Sequence, residues 1–357
     1  VINDITLSKR RKSRGNFFRG TFLKVMTKLL VKGRGIDWRS CYLKLPELKI
    51  GQHVAKIPII QGGMAIRLST ARLAAAVAEA GGIGLIAASG MGFDELRHEI
   101  RLARSLTKGI IGINIMVAAR QFARYVDTAI DEGIDLVVAG AGFSRDVFPM
   151  GKKSGTPIVP IISTVKGAKI SEKLGAAAII VEGKEAGGHL GTDKSLREIL
   201  PDIKKSVSIP VVGAGGIISG RDIAEVIKLG ADGVQMGTRF AASVESNAAP
   251  ALKEFYLKAK PEDVVLIKSP VGLPGRAIKN PFAQKILECT ADEPQNCGAC
   301  LKHCAQNFCI INALIRAQQG DVDTGLVFTG EYIHKIDEIL PVKEIFARLL
   351  KEVVEIN

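Results

Sequence analysis

The stretch "IPVVGAGGIISGRDIAEVIKLGADGVQMGT", residues 209–238, decides the fold. An apolar run stops in glycine, "SGRDIAEVIKLG" follows as a helix, and "ADGVQMGT" starts a second apolar run. The first run is a continuous apolar stretch that does not alternate apolar with polar, and most of the runs upstream share that pattern. Both faces of each strand are therefore buried, as in a parallel sheet whose strands are joined by helices.

The same unit repeats upstream. "IPIIQGGM" leads to "STARLAAAVAEAG", with Ser69 or Thr70 as N-cap and Gly81 as stop. "GIGLIAAS" leads to "FDELRHEIRLARSLT", "GIIGINIMV" to "ARQFARYVDTAIDEG", and "IDLVVAGAG" to a short helix around 145–153. "TPIVPIIS" precedes "TVKGAKISEKLG", and "AAAIIVEG" precedes a glycine loop and "SLREILPDIKKSV". With "NAAPALKEFYLKAK" after the last strand, this makes eight strand–helix units in some 200 residues. The expected fold is α/β, a (β/α)8 TIM barrel. A doubly wound open sheet is the alternative, but its G-x-G-x-x-G fingerprint does not follow the first strand. From about residue 264 prolines and cysteines break the rhythm, and "CIINALIRAQQG" and "LPVKEIFARLLKEVV" read as two amphipathic helices. The expected division is a basic arm over 1–49, the barrel over 50–260, and a C-terminal helical, cysteine-containing cap over 261–357.

The chain of 357 residues carries a net charge of +13, and residues 1–49 hold 13 Lys/Arg against Asp4, Asp37 and Glu47. The basic character thus belongs to the arm. A solvated extension is expected there; a basic amphipathic segment using Phe17, Phe18, Phe22 and Leu23 against lipid or nucleic acid, or a mitochondrial-type presequence, are the alternatives. As a primary role, nucleic-acid or membrane binding is disfavoured, since the arm lacks the interleaved aromatics of a stacking platform. No apolar run approaches the roughly 18 residues of a membrane span, and no secretory h-region is evident. A cytoplasmic setting is expected.

In such a barrel, function gathers at the C-terminal ends of the strands. That places Gln61, Gly62, Gly63 and Met64, then Asn114, His189, Gly213–Gly216 and Gln235–Thr238 around one mouth. Loops after strands seven and eight commonly bind phosphate through backbone N–H groups, and Gly215, Gly216, Gly237 and Thr238 offer that chemistry. His189 stands among glycines in "EGKEAGGHLG", as a residue placed close to a ligand would; His53, His98 and His334 have no such company.

"IPIIQGGM", "GINI", "VEGKEAGGHLGT", "VVGAGGI" and "VQMGTRF", in this order, resemble the FMN-dependent nitronate monooxygenases and the related enoyl-acyl-carrier-protein reductase II flavoenzymes. The likeness covers roughly residues 45–285. It implies a barrel with FMN at its mouth, His189 as the catalytic histidine, and Asn114, Glu182, Gly187, Gly216, Gln235, Met236, Gly237 and Thr238 at the cofactor. With the neighbouring strand-end residues, the cofactor set gains Gly63, Met64, Gly188 and Gly215. The monooxygenases tend to carry Gln where this chain has Glu182, and the reductases Glu. The resemblance points to one leading activity and to a close alternative. The first is oxidation of an alkyl nitronate by O2 to a carbonyl compound and nitrite. The second is NAD(P)H-dependent reduction of an enoyl thioester or other activated alkene. Either implies a small-molecule substrate and no nucleic-acid partner; a homodimer is left open. A catalyst like inosine monophosphate dehydrogenase is disfavoured, because no cysteine lies between Cys41 and Cys289 to serve as nucleophile.

Five of the six cysteines, Cys289, Cys297, Cys300, Cys304 and Cys309, fall within 21 residues, with His303 beside Cys304. Their spacing, C-x7-C-x2-C-x3-C-x4-C, leaves three readings open: buried reduced thiols, a zinc or iron–sulfur site, or a disulfide. No metal is assigned from sequence.

Overall fold

A computed structural model describes residues 45–356. A hairpin of β1 (Leu48–Ile50) and β2 (His53–Ala55) precedes the first barrel strand. The barrel strands are β3 (Ile59–Gln61), β4 (Ile83–Ala87), β5 (Ile110–Met116), β6 (Leu136–Gly140), β7 (Ile158–Ile162) and β8 (Ile179–Glu182). After the short β9 (Gly188–His189) come β10 (Val211–Ala214) and β11 (Gly233–Met236). All eight barrel strands pair in parallel, and β11 returns to β3 to close the barrel, as expected. The open-sheet alternative is excluded.

Strand interiors explain the closure. Ile60, Leu85, Val138, Val159, Ile180 and Val212 point inward and fill the barrel with branched side chains. Leu48, Ile50 and Ala55 of the hairpin join that same cluster. A Cβ on Gly233, the first residue of β11, would lie 3.0 Å from Leu48, and one on Gly51 would lie 2.7 Å from Pro157, just before β7. The hairpin therefore plugs the N-terminal end of the barrel and leaves only the opposite end for a site. Leu45 and Leu48, assigned to the arm from sequence, are core residues, because their apolar side chains are what close that end. Residues 1–44 of the arm, Cys41 among them, lie outside the described residues.

The eighth place in the helical ring departs from the sequence expectation. Helix Pro250–Lys258 does not take it; Leu252 and Tyr256 pack instead with Leu68, Ile278, Val327 and Ile333 in a separate cluster. The place is filled by the last helix, Val342–Ile356, packed on the helices Gly220–Lys228 and Ala71–Glu79. Gly220 makes this possible: a Cβ there would stand 2.3 Å from the Leu349 carbonyl oxygen. Its N–H donates to Glu352 Oε2 at 2.6 Å.

The region after residue 260 adds β12 (Val264–Lys268) and β13 (Pro274–Ile278), an antiparallel pair absent from the sequence reading. β9 joins it, with His189 opposite Gly275 and Gly188 opposite Arg276. The loop that carries His189 is thereby edge-paired to a hairpin some 85 residues away.

Candidate active site

At the C-terminal end of the barrel lies a cavity of about 240 Å³. Gly63, Met64, Asn114, Glu182, Gly187, Gly188, His189, Gly215, Gly216, Gln235, Met236, Gly237 and Thr238 all line it. Gln61 does not. Its buried amide donates to Ser69 Oγ at 2.9 Å and accepts from the Leu85 N–H at 3.1 Å, so it joins β3 to its surroundings. Gly213 also stays out of the lining, held within β10.

Two glycine turns shape one side. Gly215 and Gly216 have φ of +109° and +68°, the left-handed region in which a Cβ is unfavourable. A Cβ on Gly216 would also stand 2.8 Å from the Tyr332 ring and 3.0 Å from Glu185 Cβ. Gly237 differs, since the nearest atom to a Cβ there is Met64 Sδ at 3.9 Å, so its Cα faces open cavity. Thr238 Oγ1 accepts the Gly330 N–H at 2.9 Å, tying this side to the C-terminal segment. Gln235 Oε1 is buried without a hydrogen-bond partner. A buried amide oxygen left this way calls for a ligand donor.

The other side is the loop after β8. Buried Glu185 accepts from Ser195 Oγ at 2.5 Å and from the Leu196 N–H at 3.0 Å, clasping the start of helix Leu196–Ser206. Arg276 of β13 donates to the carbonyls of Lys184 at 2.6 Å and Ala186 at 3.2 Å. Gly187 passes so near the Thr329 carbonyl that a Cβ would meet its carbon at 2.6 Å. At the end of this strap His189 Nε2 lies 2.8 Å from Ser269 Oγ, and its ring meets Phe328 edge-on at 5.2 Å. Ser269, Arg276, Phe328, Gly330 and Tyr332 went unread in the sequence. Their place depends on pairing across the chain, which no local pattern states.

Burial sets the electrostatics of Glu182 and His189 at the cavity. Burial pushes the His189 imidazole down to about 4, so it is neutral at pH 7. Burial also pushes the Glu182 carboxyl up to about 8, so it is mostly protonated and can donate a hydrogen bond. No Lys or Arg lines the cavity.

The cysteine block lies nearby with a different character. Cys289, Cys297, Cys300 and Cys304 are exposed, Cys309 is half-buried, and all are unpaired. Buried structural thiols are thus not what the block provides, because its buried anchors are Leu301 and Phe308 instead. Among the described residues no three ligating side chains stand together as a formed metal site, and no helix is long and apolar enough to cross a membrane.

The nitronate monooxygenase family model matches residues 47–132 and 116–352. The chain belongs to that family. Among curated relatives, a probable nitronate monooxygenase of Staphylococcus aureus is 31% identical over 282 residues, 66% of this chain and 79% of that protein. A relative from Rhodococcus jostii, named (3aS,4S,5R,7aS)-5-hydroxy-7a-methyl-1-oxo-octahydro-1H-indene-4-carboxyl-CoA dehydrogenase, is 33% identical over 68% of this chain and 67% of its own. Among solved structures, FabK from Thermotoga maritima superposes with a TM-score of 0.77 at 38% identity, covering 84% of this chain and 93% of that one. Nitroalkane oxidase from Streptomyces ansochromogenes gives 0.70 at 28% identity, over 84% and 96%. The protein is an oxidoreductase, and the nitronate monooxygenase family and FabK are flavin-dependent in general.

Proposed function

We propose that this chain is an FMN-dependent reductase of an uncharged, activated alkene such as an enoyl thioester, with NAD(P)H as electron donor. The observation that carries it is the absence of cationic side chains from the cavity lining. An anionic nitronate entering it meets a neutral His189 and no Lys or Arg. A buried anion without a counter-charge is costly, whereas a thioester carbonyl needs only hydrogen-bond donors. The 38% identity to FabK, covering 93% of that chain, points the same way, as does Glu182 in place of the Gln of the monooxygenases.

The residues fit FMN. Gly215, Gly216, Gly237 and Thr238 would hold its phosphate through backbone N–H groups and the Thr238 hydroxyl. The unpartnered Gln235 Oε1, Asn114 and the protonated Glu182 would meet polar edges of the flavin ring. FMN supplies two-electron transfer when bound. Asn114 Nδ2 donates to the Gly63 carbonyl at 3.2 Å, which holds that amide at the mouth. In this reading Ser269 Oγ–H donates to Nε2 across 2.8 Å and leaves the His189 proton on Nδ1, from which the ring would donate to a substrate carbonyl or assist protonation.

Nitronate oxidation is the second reading, favoured by the family match and by the likeness to nitroalkane oxidase. In it the bound nitronate would have to draw a proton onto His189. Anaerobic stopped-flow of the purified flavoprotein separates the two. Flavin bleaching by NADPH or NADH, followed by reoxidation on adding crotonyl-CoA, is expected. Bleaching by propyl-2-nitronate but by neither nicotinamide would replace the first reading with the second.

A further inference from the structure

Two cavities meet at one side chain. Tyr332 lines the redox cavity and also a second, more open cavity of about 480 Å³, whose other lining residues are Lys184, Pro261, Val264, Arg276, Glu331 and His334. No other residue is common to the two linings. The wall between the cavities therefore includes the Tyr332 ring. That ring also borders the glycine turn after β10: a Cβ added at Gly216 would stand 2.8 Å from its Cε2 and 3.1 Å from its Cδ2.

The ring is held from several directions. The Gly330 N–H donates to Thr238 Oγ1 at 2.9 Å, and the Glu331 N–H donates to the Glu185 carbonyl at 3.1 Å. The chain just before Tyr332 is thus tied both to the turn after β11 and to the loop after β8. Just after it, Ile333 is fully buried, and the Lys335 N–H donates to the Tyr332 carbonyl at 3.0 Å. Lys335 Nζ lies 4.4 Å from the ring centroid, within cation–π range, and the His334 ring meets it edge-on at 6.3 Å. A ring clamped in this way has little freedom to swing aside.

The space beyond the ring has the chemistry to take a phosphate. Lys184 is exposed there, and buried Arg276 lies beside it with Glu331, the one acidic side chain of the lining, at 3.4 Å. Its volume falls in the range of small-molecule pockets, roughly 300–1,000 Å³. We propose that Tyr332 restricts the cofactor site to FMN and shuts out FAD. This rests on the reading that the flavin phosphate lies at Gly215–Gly216. FMN ends at that phosphate, whereas FAD continues through a second phosphate into adenosine, which needs room beyond the glycine turn. Tyr332 stands between the turn and the cavity that offers such room. Discrimination of this kind comes from a clash built against the competitor, with no added contact to the favoured ligand.

The test is which flavin the full-length protein holds. Purified flavoprotein is dialysed against an equimolar excess of FMN and FAD, and the bound flavin is released by heat and identified by chromatography. The wild type should favour FMN by about a hundredfold or more, and Tyr332→Ala should lower that ratio at least about tenfold by admitting FAD. Tyr332→Phe keeps the ring and should select as the wild type does. Adding Lys184→Glu to Tyr332→Ala should reverse the gain, since the second phosphate would then meet a carboxylate. Circular dichroism checks the fold, and Tyr332→Leu repeats the measurement if the alanine variant misfolds. A shortened side chain that leaves selection unchanged, or a wild type that holds FAD as readily as FMN, would overturn the role of Tyr332 and leave the phosphate placement standing. Loss of both flavins from a folded Tyr332→Ala protein would make the ring a support of the turn and not a barrier, which also overturns it. A wild type that holds neither flavin would remove the phosphate placement, and this inference with it.

Discussion

The two sides of the cavity are built in opposite ways. The turns at Gly215–Gly216 and Gly237–Thr238 are local, each following directly on the strand that supports it. The His189 side is assembled at long range: β9 pairs with β13, Arg276 grips the carbonyls of Lys184 and Ala186, and Ser269 meets the imidazole. The local side offers backbone groups, which suit a constant ligand such as a phosphate. The assembled side offers side chains whose angle depends on the C-terminal segment, which suits a substrate that differs among relatives. If this division is right, damage to the first should cost cofactor, and damage to the second should cost turnover with cofactor retained.

The largest effect is expected from Gly216→Val. The positive φ, the Tyr332 ring 2.8 Å from the added Cβ and Glu185 Cβ at 3.0 Å leave the side chain no room. The turn must shift, and most of the bound flavin should be lost, read from the flavin-to-protein absorbance ratio. Wild-type flavin occupancy would break the comparison on its local side.

His189→Ala should lower turnover by about 10²-fold or more, the scale of a positioned acid–base group. Flavin content should stay near wild type. If kcat is unchanged for every substrate that proves active, the assembled side does not carry the chemistry.

The smallest effect concerns Glu182, which stands between the two sides. Its carboxyl is raised to about 8 in the folded protein, against the ordinary 4.5, so folding retains its proton over that interval. Stability contributed by this group therefore falls as pH rises from about 4.5 to 8. His189 works in the opposite sense: its value of about 4 lies below the ordinary 6.5, so stability falls as pH drops between 6.5 and 4. Above pH 6.5 only the Glu182 slope remains. Glu182→Gln should flatten the decline in flavin-free melting temperature between pH 6.5 and 8, and His189→Ala should leave that decline in place. An equal decline in the Glu182→Gln variant would mean that the carboxylate is ionised at neutral pH.

How much of this was legible follows the same division. The barrel was readable because each βα unit carries its own evidence, a continuous apolar strand and then a helix, and every strand obeyed it. The thirteen residues assigned to the site converge on one cavity because strand ends of a closed barrel must converge. Helix Pro250–Lys258 was misplaced in the ring because it follows the last strand in sequence. Nothing local states that Val342–Ile356 would outcompete it, and its advantage rests on the close approach that Gly220 allows. Ser269 and Arg276 were missed for a related reason: a Ser before a Pro and an Arg in a short strand acquire meaning only beside His189 and the carbonyls of Lys184 and Ala186.

The sequence by itself determined the parallel barrel, the end at which its site lies and the side chains that face it. These follow from hydrophobic periodicity and glycine turns, which act between residues adjacent in the chain. Only the tertiary structure decided the protonation states, because these depend on how much protein surrounds a group. Glu182 and His189, unremarkable as letters, end as a neutral acid and a neutral imidazole because burial penalises the charged form of each.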